Sequence, residues 1–297
     1  MDDPYRYPVR RVLPYVVLDQ NCLRDKPIIS ESVSRAREEG ELIVLTETAF
    51  YEMMKSKDWD SYYELSLVGL TEFPESVVGA RSIGAMLEVE ERDGIPQRYI
   101  VDDTWTSMLR EHLTNLRVGP DKIMEINKIF AARLQDGMFN TEFYERNKAV
   151  LVRMVKDLSD NLPPEFVKNL RQRNRQALVN FMASDEVMSV CIDSIRDSGH
   201  SRDVAIMLAL EPSVSSYHFL STLALALKWV ALGGIEMTTP ERLNNDSLDM
   251  DYITISLFCK KLISKDQEMT WIYSVLREAI DRRWQTVKGR LEDSGLI

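Results

Sequence analysis

Four acids far apart in the chain have the residue type and the placement for metal chemistry: Asp19, Glu52, Asp249 and Asp266. Asp19 closes the apolar run "YVVLD" and Asp266 closes "LISKD". Glu52 falls inside "TETAFYEMM", and Asp249 sits in "NNDSLDMDYITISLF" with Asp246 and Asp251 close by. Hard divalent ions such as Mg²⁺ or Mn²⁺ take oxygen ligands, so a set of carboxylates without histidine or cysteine suits them and does not suit zinc. Clustered carboxylates repel one another, and a cation removes that conflict. Each acid alone also has an ordinary use, because aspartates after strands serve turns and acids in a first helical turn complement the helix N-terminus. The recurrence of acids at strand ends and helix starts is what singles these four out.

The elements that must position them are an α/β core. "YVVLD" and "ELIVLT" read as buried strands. "SESVSRAREEG" reads as a helix with Ser30 as N-cap and Gly40 as its stop, and Thr46 caps the helix "ETAFYEMMKSK". A β-α-β-α opening implies a parallel sheet covered by helices. The pattern returns late, with "KKLISKD" as a strand leading into the helix "EMTWIYSVLREAIDRRWQTVKGRL". Strand carboxyl ends line one edge of such a sheet, where ligand sites form, so Asp19 and Asp266 are expected to face one crevice. Between these halves nearly everything has helical periodicity, broken at Gly119-Pro120 and Pro163-Pro164. The expected organisation is a first half-core over 1–75, an all-α insertion over 76–235 and a second half-core over 236–297.

These segments resemble the PIN-domain nucleases. "VVLDQNCL" is similar to their opening strand, "LTETAFYEMM" to their second strand and glutamate-bearing helix, and "DSLDMDYITISLFCKKLISKDQEM" to their closing helix and strand. The resemblance covers about residues 12–75 and 236–297, and the long insertion and Gln20 depart from the usual pattern. It implies a PIN-like central parallel sheet and a metal-dependent hydrolase, an endoribonuclease acting on RNA in preference to DNA. It places the acids at Asp19, Glu52, Asp249 and Asp266, with Asn21 and Ser264 in support; Asp246 and Asp251 stay open as metal ligands beside Asp249. A toxin or phage-defence setting belongs to the same resemblance. Two alternatives stand beside it: a catalytically silent PIN-like scaffold binding a protein partner through the helical insertion, and a phosphohydrolase of small phosphates.

A nucleic-acid partner needs local cations, and the chain carries a net charge of −10. Residues 76–235 hold 21 acids against 19 bases, so the acid excess sits in the two ends. Candidate phosphate contacts are Lys168, Arg171 and Arg175, read as one helical stripe with Arg173 off it, together with Lys260 and Lys265 flanking Asp266. A second cluster is Arg282, Arg283, Lys288 and Arg290. Trp105, Trp229, Trp271 and Trp284 fall in apolar periodic stretches and read as core. Cys22, Cys191 and Cys259 are scattered and read as buried thiols. The most apolar run, "FLSTLALALKWVALGGI", carries Lys228 and is short of the roughly 20 residues of a membrane span, so a cytoplasmic protein without a membrane partner is expected. No phosphate-loop glycine pattern is present, which disfavours kinases, NTPases and dinucleotide enzymes. A homo-oligomer is compatible with all of this.

Overall fold

A computed structural model describes residues 13–54, 65–118, 125, 128, 141–235 and 239–293. The first described element is β1 (Leu13–Leu18), whose Val16, Val17 and Leu18 are all buried. A single helical turn, α1 (Gln20–Leu23), leads into α2 (Lys26–Glu39), and β2 (Leu42–Leu45) follows. The cap of α2 is Asp25, whose side chain accepts from Ile28 N at 3.2 Å, so Ser30 lies inside the helix and is not its cap. Pro27 in the first turn fixes this earlier start. Gly40 ends α2 in the left-handed conformation expected of it. Thr46 caps α3 (Glu47–Met54) by accepting from Ala49 N.

Two short 3-10 turns, Val68–Glu72 and Pro74–Ser76, bring the chain to β3 (Val77–Gly79). This strand falls just past residue 75, at the start of the stretch read as helical. Three residues are too few to show a period of two. Gly79 has no room for a side chain, because a Cβ there would lie 1.8 Å from Cδ1 of Trp105.

The last strand, β4 (Cys259–Ile263), completes an all-parallel sheet of order β3-β2-β1-β4. From β1 the chain moves to β2 on one side, and β4 adds on the other. The switch point of the sheet is therefore between β1 and β4. The inner strands are apolar on both faces, as a helix-covered parallel sheet requires. β4 is an edge, and its exposed Lys260 and Lys261 discourage pairing with another chain.

The helices after β3 are α4 (Ile83–Asp93), α5 (Asp103–Val118), α6 (Thr141–Asn161), α7 (Pro164–Arg171), α8 (Arg175–Met182), α9 (Asp185–Asp197), α10 (Arg202–Leu210) and α11 (Val214–Leu232). The sequence read as the helix "DKIMEINKIFAARL" lies outside the described residues, apart from 125 and 128. α11 is buried all round and packs against α4, α6, α7, α9 and α10. Its N-terminus is satisfied by the buried Glu90 of α4, which accepts from Val214 N, Ser215 N and Ser215 Oγ. α11 also packs on α12 (Pro240–Phe258) and α13 (Gln267–Asp293), the helices before and after β4. The helical stretch and the sheet thus share one continuous core. Cys22, Cys191 and Cys259 are buried free thiols, and among the described residues no helix is long and apolar enough to cross a membrane.

Candidate functional site

Asp19 follows β1 directly, and its backbone N–H donates to Ile263 O at 3.1 Å, tying the ends of β1 and β4 together. Its carboxylate is almost wholly buried. Oδ2 accepts from Ser264 Oγ at 2.8 Å and Oδ1 from Asn21 N at 3.3 Å. Burial raises its pKa, the charge of Asp266 raises it further, and the bonds from Ser264 and Asn21 oppose both. Ser264 Oγ also accepts from Asp266 N at 2.9 Å, so one hydroxyl links the two strand-end aspartates. Asp266 stands three residues beyond the end of β4. It caps α13, with Oδ1 accepting from Glu268 N at 2.7 Å and Met269 N at 2.9 Å.

Glu52 projects from the last turn of α3, and its Oε2 accepts from the Tyr252 hydroxyl at 2.9 Å. That hydroxyl accepts in turn from Gln20 N at 3.3 Å, so one buried phenol joins α1, α3 and α12. Burial, followed by the charges of Glu52 and Asp19, holds the Tyr252 phenol well above its usual range, which keeps it a donor. Asp249 lies on α12 facing the same space. Burial is the main cause of its strongly raised pKa, with the charge of Asp246 next; Lys228 opposes them, while Asp266 and Glu52 add to the rise.

The three acids at positions 246, 249 and 251 are interior to α12, since Thr239 caps the helix and Pro240 begins it. They therefore lie inside the helix and not at its start, and its register separates the three. At about 100° per residue, Arg242, Asn245, Asp246 and Asp249 share one face, while Asp251 points the other way. Asp251 accepts from Thr48 Oγ1 at 2.8 Å and lies beside Glu47, away from the others.

Glu52, Asp246, Asp249 and Asp266 line one cleft of about 620 Å³, together with Asn21, whereas the buried Asp19, expected to face the same crevice as Asp266, does not line it. Arg171, Arg173, Lys228 and Arg242 line the same cleft, with Trp271 and Leu227. Of the expected phosphate contacts only Arg171 is here, donating to Ala231 O at 3.3 Å. The stripe from Lys168 to Arg175 is interrupted, because α7 ends at Arg171 and Arg173 takes a left-handed backbone with φ of 52°. Lys168 is turned to Glu165, and Arg175 is held on α13 by Glu278 and Ser274. Lys260 pairs with Glu39 and Glu41, and Lys265 with Asp25 at 2.6 Å. Among the described part of the second cluster, Arg282 bonds Glu278 and Arg283 donates to Met182 O.

Arg173, expected off the stripe, is in the cleft, paired with Glu268 and stacked over the half-buried ring of Trp271 at 5.7 Å. Arg242 stacks over Trp229 at 4.9 Å. Sequence reasoning missed Arg242 and did not use Lys228. The signals were present: Arg242 precedes Asp246 by one helical turn, and Lys228 is the charge in the most apolar helix.

The donor set fits a hard divalent ion in its chemistry, being oxygen only. As placed, no three Asp, Glu, His or Cys side chains among the described residues stand close enough to ligate one ion together. Asp246 Oδ2 is buried without a hydrogen-bond partner. No family model matches the chain, nor does any curated protein or solved structure.

Proposed function

We propose that this cleft is the active site of a divalent-metal-dependent nuclease, with Mg²⁺ or Mn²⁺ as cofactor, and that its finer identity is a PIN-like endoribonuclease. The observation that carries the reading is the convergence of Glu52, Asp246, Asp249 and Asp266 on one cleft at the switch point of the sheet, with Asp19 joined to Asp266 through Ser264. Structural caps alone give no reason for acids from α3, α12 and the end of β4 to gather, and burial with their mutual repulsion leaves the Asp249 pKa strongly raised even with Lys228 opposing it.

The chain's own residues divide the work. To be held by Asp19, Glu52, Asp249 and Asp266, the ion would have to draw these acids closer than they stand. Ser264 orients Asp19, and Tyr252 orients Glu52. Arg171, Arg173 and Arg242, which line the same cleft, offer guanidinium groups to a phosphodiester. Once bound, the ion would supply Lewis-acid activation of water and of the phosphoryl oxygens. The resemblance of "VVLDQNCL" and its partner segments supports RNA over DNA as substrate.

One observation favours a catalytically silent, protein-binding scaffold instead: Asp19, Glu52 and Asp266 are each already hydrogen-bonded, and Asp266 serves as a helix cap. Labelled single-stranded RNA and DNA, incubated in Mn²⁺ with the wild type and with Asp266→Asn, separate the readings. Ion-dependent cleavage by the wild type that falls at least about a hundredfold in the variant supports the nuclease. Intact polymers throughout reject it, and release of phosphate from mononucleotides alone would identify a small-phosphate phosphohydrolase.

A further inference from the structure

Arg173 is the one non-glycine residue with a left-handed backbone among the described residues. Glycine adopts that conformation without steric cost, so the turn between α7 and α8 gives no backbone reason for an arginine. What the arginine adds is a side chain in the cleft. Its guanidinium carbon lies 5.7 Å from the centre of the Trp271 ring, and Glu268, one helical turn before Trp271 on α13, pairs with the same guanidinium. All three line the cleft, with the apolar Leu170, Leu178 and Leu227. The charge of Arg173 is thus answered within the protein, yet its side chain is 60% exposed, which leaves a flat face open to a ligand. Arg171 and Arg242 differ, because both are exposed and neither forms an ion pair among the described residues.

We propose that Arg173 and Trp271 form a stacking subsite for one nucleobase, which lies on the outer face of the guanidinium while Arg171 and Arg242 serve the neighbouring phosphates. The inference rests on the reading of the cleft as a nucleic-acid site and deepens it, but it needs no ion. A guanidinium backed by an indole is a planar, weakly hydrated surface, and bases stack on such planes with little regard to sequence. Trp271 supports the plane from behind and Glu268 fixes its orientation, so little side-chain freedom is left to lose when a base arrives. A cleft of about 620 Å³ is of the size that takes a small ligand. A base must leave its own stack to enter it, so the unit recognised is an unpaired nucleotide.

Fluorescence anisotropy of the full chain in EDTA, with a short labelled single-stranded RNA and with the same strand made abasic, tests this without reference to cleavage. The wild type should bind the intact strand roughly tenfold or more tightly than the abasic one, as one stacked base requires. Trp271→Leu should remove most of that preference and leave abasic binding as it was. So should Arg173→Lys, which keeps the charge and loses the plane. Arg173→Gly, which suits the left-handed turn, should do the same and serves if the leucine variant does not melt cooperatively. Arg171→Gln, by contrast, should weaken both strands alike and keep the preference. A wild type that binds neither strand or shows no preference overturns the proposal, and so do variants at Arg173 and Trp271 that lose affinity equally for both strands or for neither. A preference that these variants abolish, in a protein that cleaves neither RNA nor DNA in Mn²⁺, upholds the subsite and rejects the nuclease. Ion-dependent cleavage without the preference does the reverse.

Discussion

Glu47→Gln should stabilise the protein at neutral and alkaline pH and flatten part of its pH dependence. Glu47 begins α3, is buried, and has its pKa pushed up to about 8, by burial first and then by the charge of Asp251, against a lowering contact from Ser82. The unfolded chain loses the same proton near pH 4.5. Because the folded-state value is the higher one, folding is unhindered by this group below about pH 4.5. Stability is then lost progressively as pH rises towards 8, where the folded protein also ionises. At about 1.4 kcal/mol per pH unit, the loss between pH 5 and pH 8 is on the order of 3 kcal/mol. Glutamine fills the same space without a titrating proton, so this loss should be missing from the variant. Urea denaturation of both proteins at pH 5, 7 and 8 measures it, because titrations not coupled to Glu47 cancel in the difference. The gap in favour of Glu47→Gln should widen steadily with pH. Stability curves that stay parallel across this range would refute the assignment of a buried, protonated carboxyl at Glu47.

Gly79→Ala should cost about 3 kcal/mol or more, since the added methyl overlaps the Trp105 ring in a close-packed core, and a thermal melt or failure of soluble expression reads this. Ser264→Ala removes the donor to Asp19 Oδ2 and the acceptor for Asp266 N together. It should lower stability by about 1 to 3 kcal/mol in denaturant titration, whereas Ser264→Thr, which keeps the hydroxyl, should recover most of the loss.

What could be read in the sequence was whatever local chemistry decides. The apolar runs of β1 and β2, the Thr46 cap and the Gly40 stop each depend on a few adjacent residues, and each is where the pattern puts it. Strand ends sharing one sheet edge explain only the nearness of Asp19 and Asp266; Glu52 and Asp249 reach the cleft from within helices, which depends on how α3 and α12 pack. The register of α12 was harder to read. Starting that helix near Asp246 makes three neighbouring acids equivalent, whereas Thr239 and Pro240 start it earlier and turn Asp251 towards Thr48. The basic stripe failed for a conformational reason, because one left-handed residue at Arg173 ends the periodicity that would have aligned Lys168 with Arg175. Nothing in "RQRNRQ" announces that break except Asn174, which caps the next helix. The role of Lys228 depends on tertiary packing, since only the approach of α11 to α12 brings it to Asp246.

Thermal melting with and without millimolar Mn²⁺, for the wild type and for Asp19→Asn/Asp266→Asn, tests the central claim that this cleft is a divalent-ion site. A ligand that binds only the folded state adds about 2.7 kcal/mol at a hundred times its dissociation constant. The wild-type transition should therefore move up in Mn²⁺ while that of the variant stays still. A wild type that melts at the same temperature with and without the ion, or a variant that shifts equally, would contradict the account.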